Sequence, residues 1–282
     1  MAAKIIDGQK IAEKILADAK ARVKNMKEKP GLAVILVGNN PASEIYVNFK
    51  EKDCKNVGVY CERYNLNEQT TEMDLLKLVN ELNNNPKING LLVQLPLPNH
   101  IDEHMVVNSI LPHKDVDGFT TVNLGSLLSE KTVLAPATAR ACIKLIESTG
   151  MKIEGKNAVV VGRSVIVGKP TAMMLLERNA TVTICHSRTR NLAEFTKKAD
   201  ILVVAVGKPK LITKDIVKEG AVVIDVGINR VDGKIIGDVD FENVKEVAGF
   251  ITPVPKGVGP MTRAMLIDNT LKAMELGEKI KY

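Results

Sequence analysis

The sequence has 282 residues but no tryptophan, and phenylalanine and tyrosine bring its aromatic content to only 3%. Proteins that bind single-stranded nucleic acid stack the bases on aromatic rings and follow the phosphates with clustered basic residues. Here the basic residues behind the net charge of +6 are spread along the chain, so we expect no nucleic-acid partner. A modest positive charge also suits a small anionic ligand, such as a phosphorylated cofactor.

The chain is also poor in cysteine, in metal-binding motifs and in long apolar runs. Its four cysteines form no CxxC pair, which argues against a disulfide framework and against a zinc site. His100 and His104 lack a third ligand nearby, so a surface helix start is predicted there instead of a metal site. No run reaches membrane-spanning length, and no apolar segment precedes the first charges. We therefore expect a cytoplasmic protein with no bound metal and no membrane partner.

The sequence does contain apolar segments of strand length that alternate with helical patterns, which predicts an α/β fold with parallel sheets. The length allows two domains. The predicted strands are residues 32–37, 91–93, 158–161 and 181–186. The predicted helices are residues 8–29, 41–57 and 170–178.

A glycine turn at Gly162 joins the strand at residues 158–161 to the helix predicted from Pro170, so a phosphate is expected at that helix N-terminus. A P-loop is excluded, because five residues separate Gly162 from Gly168 and Pro170 follows Lys169. A nucleophile elbow would need glycine where Ile166 stands. A dinucleotide turn fits best, although Ser164 replaces its second glycine. An ordinary strand-to-helix turn remains the alternative.

The end of the next strand indicates which dinucleotide the turn would bind. An acid at this position would bind the free ribose hydroxyl of NAD, but Ser187 and Arg188 stand there. Hydroxyl and guanidinium groups suit the additional phosphate of NADP, with Arg163 as a further candidate partner. The sequence thus favours NADP, and a solvated loop is the alternative interpretation.

Polar side chains in the N-terminal half form a second candidate site. Tyr46 and Lys50 lie four residues apart, and therefore on one face of a predicted helix. Gln94 follows a buried strand at its carboxyl end, where α/β sheets bind ligands. Asp117 precedes a glycine and could bind N–H groups of a ligand. A solvated lysine and a turn-forming aspartate are the simpler interpretations of Lys50 and Asp117.

Taken together, these segments resemble the bifunctional methylenetetrahydrofolate dehydrogenase/cyclohydrolase family. The similar segments are residues 42–50, 92–98, 114–119, 162–164, 167–170, 185–189, 223–229, 252–255 and 257–262. The resemblance implies a homodimer that oxidises methylenetetrahydrofolate with NADP and hydrolyses the methenyl product to 10-formyltetrahydrofolate in one-carbon metabolism. It implies a folate-binding α/β domain at residues 1–137, completed by a helix at 258–282, and a Rossmann-like NADP-binding domain with a parallel sheet at 138–257.

The resemblance also implies roles for individual residues. The catalytic and folate-binding set is Tyr46, Lys50, Gln94 and Asp117. Two further residues are predicted to bind the folate, namely Pro253 and Gly257. The predicted cofactor-binding set is Gly162, Arg163, Ser164, Ser187, Arg188 and Ile228.

The sequence departs from the family pattern at three positions. Ala137 and Ala139 replace the cysteine and second proline of a Pro-Cys-Thr-Pro segment, and Lys256 stands where glycine is usual. None of the three carries a predicted chemical role. They leave open a dehydrogenase with little cyclohydrolase activity, and a non-catalytic NADP-binding sensor is the second alternative.

Overall fold

The predicted alternation of strands and helices is present in the computed structural model, which describes residues 2–129 and 132–280. Residues 1, 130, 131, 281 and 282 of the predicted domain ranges lie outside this description. The strands are β1 (Lys4–Ile5), β2 (Gly31–Val37), β3 (Tyr60–Leu66), β4 (Gly90–Val93), β5 (Asn157–Val161), β6 (Thr181–Cys185), β7 (Ile201–Val204), β8 (Val222–Asp225), β9 (Asn229–Val231), β10 (Lys234–Ile236) and β11 (Phe250–Ile251). The helices are α1 (Gly8–Asn25), α2 (Pro41–Val57), α3 (Glu72–Asn84), α4 (Glu103–Asn108), α5 (Thr121–Leu128), α6 (Ala137–Glu147), α7 (Gly168–Leu176), α8 (Ala193–Thr196), α9 (Phe241–Val244) and α10 (Val258–Ile280), with a 3-10 helix at Lys214–Ile216.

The chain divides into two compact units. The first contains the residues through Ala12 together with Thr138–Thr262, and the second contains Glu13–Ala137 together with the residues from Arg263 onward. Both outer divisions therefore fall inside helices, α1 and α10. Residues 2–12 were predicted to belong to the other domain. The structure differs there because β1 pairs in parallel with β11 of the first unit.

The first unit is built on a six-stranded sheet in the order β1-β11-β8-β7-β5-β6, in which every neighbouring pair is parallel. Strands β7 and β8 are buried at every position. Such continuous apolar runs are typical of parallel strands that are covered on both faces. Strand β5 lies between β6 and β7, so the strand order reverses at its carboxyl end, where doubly wound sheets bind ligands.

The second unit contains a three-stranded parallel sheet in the order β3-β2-β4. The central strand β2 is entirely buried. Helix α2 follows it with the predicted boundaries: the Asn40 side chain accepts hydrogen bonds from two backbone N–H groups of the first turn, and Gly58 ends the helix at φ 89°. Glycine suits that left-handed end because it has no Cβ. These two caps determine where α2 begins and ends.

Two long helices contribute most of their length to the second unit. Helix α1 ends at Asn25, earlier than predicted, and the Lys29 ammonium then donates to the carbonyl oxygen of Val23 at 2.6 Å. In α10, the buried Asn269 amide donates to the carbonyl oxygens of Val116 (2.7 Å) and Ala135 (3.0 Å). These bonds join the end of the chain to segments far away in sequence. Within the described residues, no helix combines the length and the apolar character needed to span a membrane.

Candidate active site

Lys50 and Gln94 meet in the second unit. Helix α2 carries Lys50, and Gln94 follows the last residue of β4, where its backbone N–H donates to the carbonyl oxygen of Ile35 in β2. The Lys50 ammonium donates to Gln94 Oε1 at 2.9 Å. Gln94 Nε2 in turn donates to the carbonyl oxygen of Leu95 at 2.8 Å, which leaves Oε1 directed at the lysine. The predicted pairing of these two side chains is therefore present in the structure.

The electrostatics of this pair depend on Asp117. Burial lowers the pKa of Lys50, and the negative charge of Asp117 partly opposes that shift. Burial raises the pKa of Asp117 to about 6, again with partial opposition from Lys50. Both side chains are only half-buried by exposure, so a ligand can reach them. A lysine with a lowered pKa releases its proton more readily than an ordinary lysine does.

The two neighbouring aspartates of this turn do different things. Asp115 is buried and accepts hydrogen bonds from the backbone N–H groups of Gly118 (2.9 Å) and Thr120 (2.7 Å) and from the Asn123 amide (2.9 Å). It therefore forms the turn. Among the described residues, no group donates a hydrogen bond to Asp117, whose carboxylate is left for a ligand.

Tyr46 lies one helical turn before Lys50 on α2, as predicted, and 36% of its surface is exposed. An exposed phenol ring on the helix face that carries the lysine can stack on a flat ligand ring. The structure thus gathers Tyr46, Lys50, Gln94 and Asp117 in one unit.

The predicted dinucleotide turn lies in the first unit, between β5 and α7. Gly162 has φ 132°, and a Cβ at this position would lie 2.2 Å from the carbonyl oxygen of Ala205. A Cβ on Gly168 would lie 2.2 Å from the carbonyl oxygen of Gly162. Only glycine fits these close backbone approaches. The turn therefore has the tight packing that brings a helix N-terminus close to a phosphate.

Ser164 caps the helix of this turn. Its hydroxyl oxygen accepts hydrogen bonds from the backbone N–H groups of Val167 and Gly168, both at 3.2 Å. Helix α7 consequently begins at Gly168, whereas the sequence analysis placed its start at Pro170. Ser164 satisfies N–H groups that a helix start otherwise leaves open. Its exposed position still allows contact with a bound phosphate.

Ser187 and Arg188 follow the end of β6, both exposed. The turn that carries them is held by His186, whose backbone N–H donates to Thr189 Oγ1 at 2.8 Å and whose Nδ1 accepts from the Arg188 N–H at 3.1 Å. Arg163 is likewise exposed at the end of β5, the strand next to β6. Hydroxyl and guanidinium groups thus lie at the carboxyl ends of two neighbouring strands, and no carboxylate stands directly after β6.

The remaining predicted residues also lie in the first unit. Ile228 follows β8 and is 50% exposed. Pro253 and Gly257 follow β11, and a Cβ on Gly257 would lie 2.4 Å from the Pro253 carbonyl oxygen. Between them, Lys256 adopts a left-handed backbone conformation with φ 80°. Pro253 and Gly257, predicted to bind folate, therefore belong to a different unit from Lys50.

Metal chemistry has no visible site in the part of the chain that the structure describes, where no three potential ligands among His, Cys, Asp and Glu cluster. Helix α4 begins at Glu103 beside His104, in line with the predicted surface helix start. Sequence reasoning missed two buried carboxylates of the first unit, Asp225 and Asp238. The glycines beside them, Gly227 and Gly237, were the available signal, because a buried carboxylate that accepts backbone N–H bonds needs close backbone approach.

Comparison with known proteins adds independent information. Residues 6–117 match the family model "tetrahydrofolate dehydrogenase/cyclohydrolase, catalytic domain", and residues 136–278 match the NAD(P)-binding domain of the same family. The bifunctional protein FolD of Moorella thermoacetica is 56% identical over 277 residues, which cover 97% of this chain and 99% of that protein. The crystal structure of bifunctional FolD, a methylenetetrahydrofolate dehydrogenase/cyclohydrolase from Campylobacter jejuni, is 46% identical with a TM-score of 0.96, covering 98% of this chain and 100% of the other. The Trypanosoma brucei enzyme, complexed with NADP cofactor and inhibitor, is 36% identical with a TM-score of 0.94, covering 99% of each chain.

Proposed function

The chain belongs to the tetrahydrofolate dehydrogenase/cyclohydrolase family, and we propose from this that it oxidises 5,10-methylenetetrahydrofolate with NADP and hydrolyses the methenyl product to 10-formyltetrahydrofolate. The observation that carries the proposal is the Lys50–Gln94 hydrogen bond of 2.9 Å beside Asp117. A protein that only sensed NADP would need none of these three side chains in this arrangement.

The residues at the carboxyl ends of the strands in the six-stranded sheet fit NADP. The tight turn at Gly162 packs against the Ala205 carbonyl oxygen only because glycine lacks a Cβ, and the N-terminal N–H groups of α7 would face a pyrophosphate bound at this turn. Ser187, Arg188 and Arg163 would hold the 2′-phosphate, and Ile228 would pack against the dinucleotide. When bound, NADP supplies the hydride acceptor for the oxidation.

The oxidative step requires little proton transfer by the protein. Loss of hydride from the carbon between two folate nitrogens leaves a cation that both nitrogen lone pairs stabilise, so orientation matters more than a base. Asp117 would bind N–H groups of the pterin, and Tyr46 would stack on the folate. Together they hold the methylene carbon in one position.

The hydrolytic step does require proton transfer. Water loses a proton as it attacks the methenyl cation, and a ring nitrogen gains one as the ring opens. Lys50 is the group for both transfers, because burial lowers its pKa and a cationic substrate beside it lowers the pKa further. Gln94 Oε1 accepts from the ammonium and fixes the direction in which the amine points.

The same family membership supports the assignment of each unit. The unit with Lys50 would bind folate, and the unit with Gly162 would bind NADP. The predicted domains, residues 1–137 with 258–282 and residues 138–257, differ from these units at residues 2–12 and 258–262, which belong to the unit with Gly162. We further propose a homodimer located in the cytoplasm. Pro253 and Gly257 remain proposed folate-binding residues on the basis of the family resemblance.

A paired assay of Lys50→Met tests the proposal. The substitution keeps an apolar stem of similar length and removes the amine, so hydrolysis of supplied methenyltetrahydrofolate should fall by roughly 10²–10⁴-fold. Oxidation of methylenetetrahydrofolate, which needs no proton acceptor, should survive in part. Lys52→Met is the matched control, because this exposed lysine of the same helix has no assigned role, and both of its activities should remain.

Each outcome has a distinct meaning. Hydrolysis by Lys50→Met at the wild-type rate would remove Lys50 from the mechanism. Equal loss of both activities would make Lys50 a folate-positioning residue only. If the wild-type protein oxidises methylenetetrahydrofolate but does not hydrolyse the methenyl product, it is a dehydrogenase alone. If it catalyses neither reaction, the NADP-binding sensor is the remaining alternative.

A further inference from the structure

Two buried carboxylates of the first unit hydrogen-bond almost entirely to backbone N–H groups. Asp225 is the last residue of β8 and Asp238 follows β10, and their exposed fractions are 2% and 0%. Neither takes part in an ion pair among the described residues. Burial of a carboxylate is costly unless hydrogen bonds replace its lost contacts with water. The groups that donate these hydrogen bonds therefore indicate what each carboxylate does in the fold.

Asp238 connects two loops. Its Oδ2 accepts from the backbone N–H groups of Val206 (2.7 Å) and Gly207 (2.9 Å), which follow β7. Its Oδ1 accepts from the side-chain amide of Asn229, at 2.9 Å, in the segment that follows β8. One side chain therefore sets the separation between the loops at the carboxyl ends of two adjacent strands.

Asp225 holds Asp238 in place. Its Oδ1 accepts from the backbone N–H groups of Gly227 (2.9 Å) and Asp238 (3.0 Å), and its Oδ2 accepts from Val239 (2.9 Å). There is no spare room: a Cβ on Gly227 would lie 2.3 Å from Asp238 Cγ, and one on Gly237 would lie 1.8 Å from Asp225 Oδ2. The arrangement is tightly packed around the two carboxylates.

The loops that Asp238 connects lie on one side of the dinucleotide turn. In the sheet, β7 and β8 follow β5 in one direction, while β6 with Ser187 and Arg188 lies in the other. Ala205, just before Val206, donates its N–H to the Val161 carbonyl oxygen at 2.8 Å, next to Gly162. If the 2′-phosphate end lies over β6 and the pyrophosphate over β5, the nicotinamide end lies over β7 and β8.

We propose that Asp238 is a positioning residue for the nicotinamide half of NADP, which it serves by holding the Val206–Gly207 loop and the Ile228–Asn229 loop at a fixed separation. It acts through the backbone N–H groups of Val206 and Gly207 and the side-chain amide of Asn229, and it does not touch the cofactor. The inference rests on the proposed use of NADP. It predicts that the two halves of the cofactor respond differently to loss of the Asp238 carboxylate.

Asp238→Asn tests this, because the amide has nearly the same shape but only one acceptor oxygen. Whichever way it turns, its NH2 group faces a donor, either the loop N–H groups or Asn229. Dehydrogenase kcat/KM for NADP should fall about tenfold to a hundredfold, the range expected for bonds to a charged group. The inhibition constant of adenosine 2′,5′-bisphosphate, which probes only the β6 side, should stay unchanged. Hydrolysis of methenyltetrahydrofolate without NADP should also stay unchanged.

Two comparison variants sharpen the result. Asp240→Asn is a matched control on the same segment, because its carboxylate accepts from the Asn243 amide and faces Lys210 at the surface, and its kinetics should equal wild type. Arg188→Ala should show the opposite pattern, with weaker inhibition by the bisphosphate.

An unchanged kcat/KM in Asp238→Asn would overturn the inference. Equal weakening of NADP use and of bisphosphate inhibition would also overturn it, since Asp238 would then only maintain the unit's fold. If Asp238→Asn does not fold, Asn229→Ala removes one of three donors, leaves the carboxylate intact, and must show the same split at smaller size. Wild-type protein that cannot oxidise methylenetetrahydrofolate would instead refute the proposed function.

Discussion

Lys256 allows a quantitative test of backbone strain in this chain. It has φ 80°, a region in which a Cβ approaches the neighbouring carbonyl oxygen, at a cost of about 1–2 kcal/mol. Glycine avoids that cost but loses roughly 0.4–1 kcal/mol because its unfolded chain has more freedom. The backbone carbonyl of Lys256, which accepts from the Gln9 N–H at 3.0 Å, is kept in either case. Lys256→Gly should therefore raise the free energy of unfolding by about 0.5–1 kcal/mol.

The assay is urea and thermal unfolding of the ligand-free enzyme, with an expected rise in Tm of roughly 1–4 °C. Lys256→Ala is the matched control: it removes the same charge and stem but keeps the Cβ, so its stability should stay close to wild type. Lys208→Gly is a second control, because Lys208 is exposed but has no positive φ, and glycine there should destabilise. Equal effects of the glycine and alanine substitutions at Lys256 would refute the strain argument.

Two further predictions concern charge. The pKa of Asp117 is about 6 in the folded protein against 3.8 ordinarily, so the stability it contributes is fully present below pH 3.8 and is lost as the pH rises through 6. The difference in unfolding free energy between wild type and Asp117→Asn should therefore shift against wild type by about 1–2 kcal/mol between pH 4 and 7. This is less than full burial would give, because the side chain is half-exposed. A difference that does not change with pH would contradict the prediction. Arg163→Ala should raise the KM for NADP about tenfold to a hundredfold if its guanidinium binds the phosphate, while NADP-independent hydrolysis stays constant; an unchanged KM would exclude that contact.

The sequence was sufficient for features that depend on neighbouring residues. Helix α2 has the boundaries predicted from Asn40 and Gly58, because capping and left-handed ends are local properties. The glycine turn after β5 was readable for the same reason. Lys50 could be placed on one face of a predicted helix and Gln94 at the end of a predicted strand, and the family resemblance, which spans most of the chain, brought them together.

Tertiary structure decided the features that depend on partners distant in sequence. Residues 2–12 belong to the unit with the six-stranded sheet because β1 pairs with β11, almost the length of the chain away. Asp115 and Asp117 look equivalent in sequence, yet only the folded turn directs N–H groups at Asp115 and leaves Asp117 with a pKa of about 6. The glycine beside Asp238 did not reveal its hydrogen-bond partners, since the backbone N–H groups of Val206 and Gly207 lie over thirty residues earlier. Local patterns encode where helices and strands begin and end, whereas burial and hydrogen-bond partners, which set charge and pKa, exist only once the chain has folded.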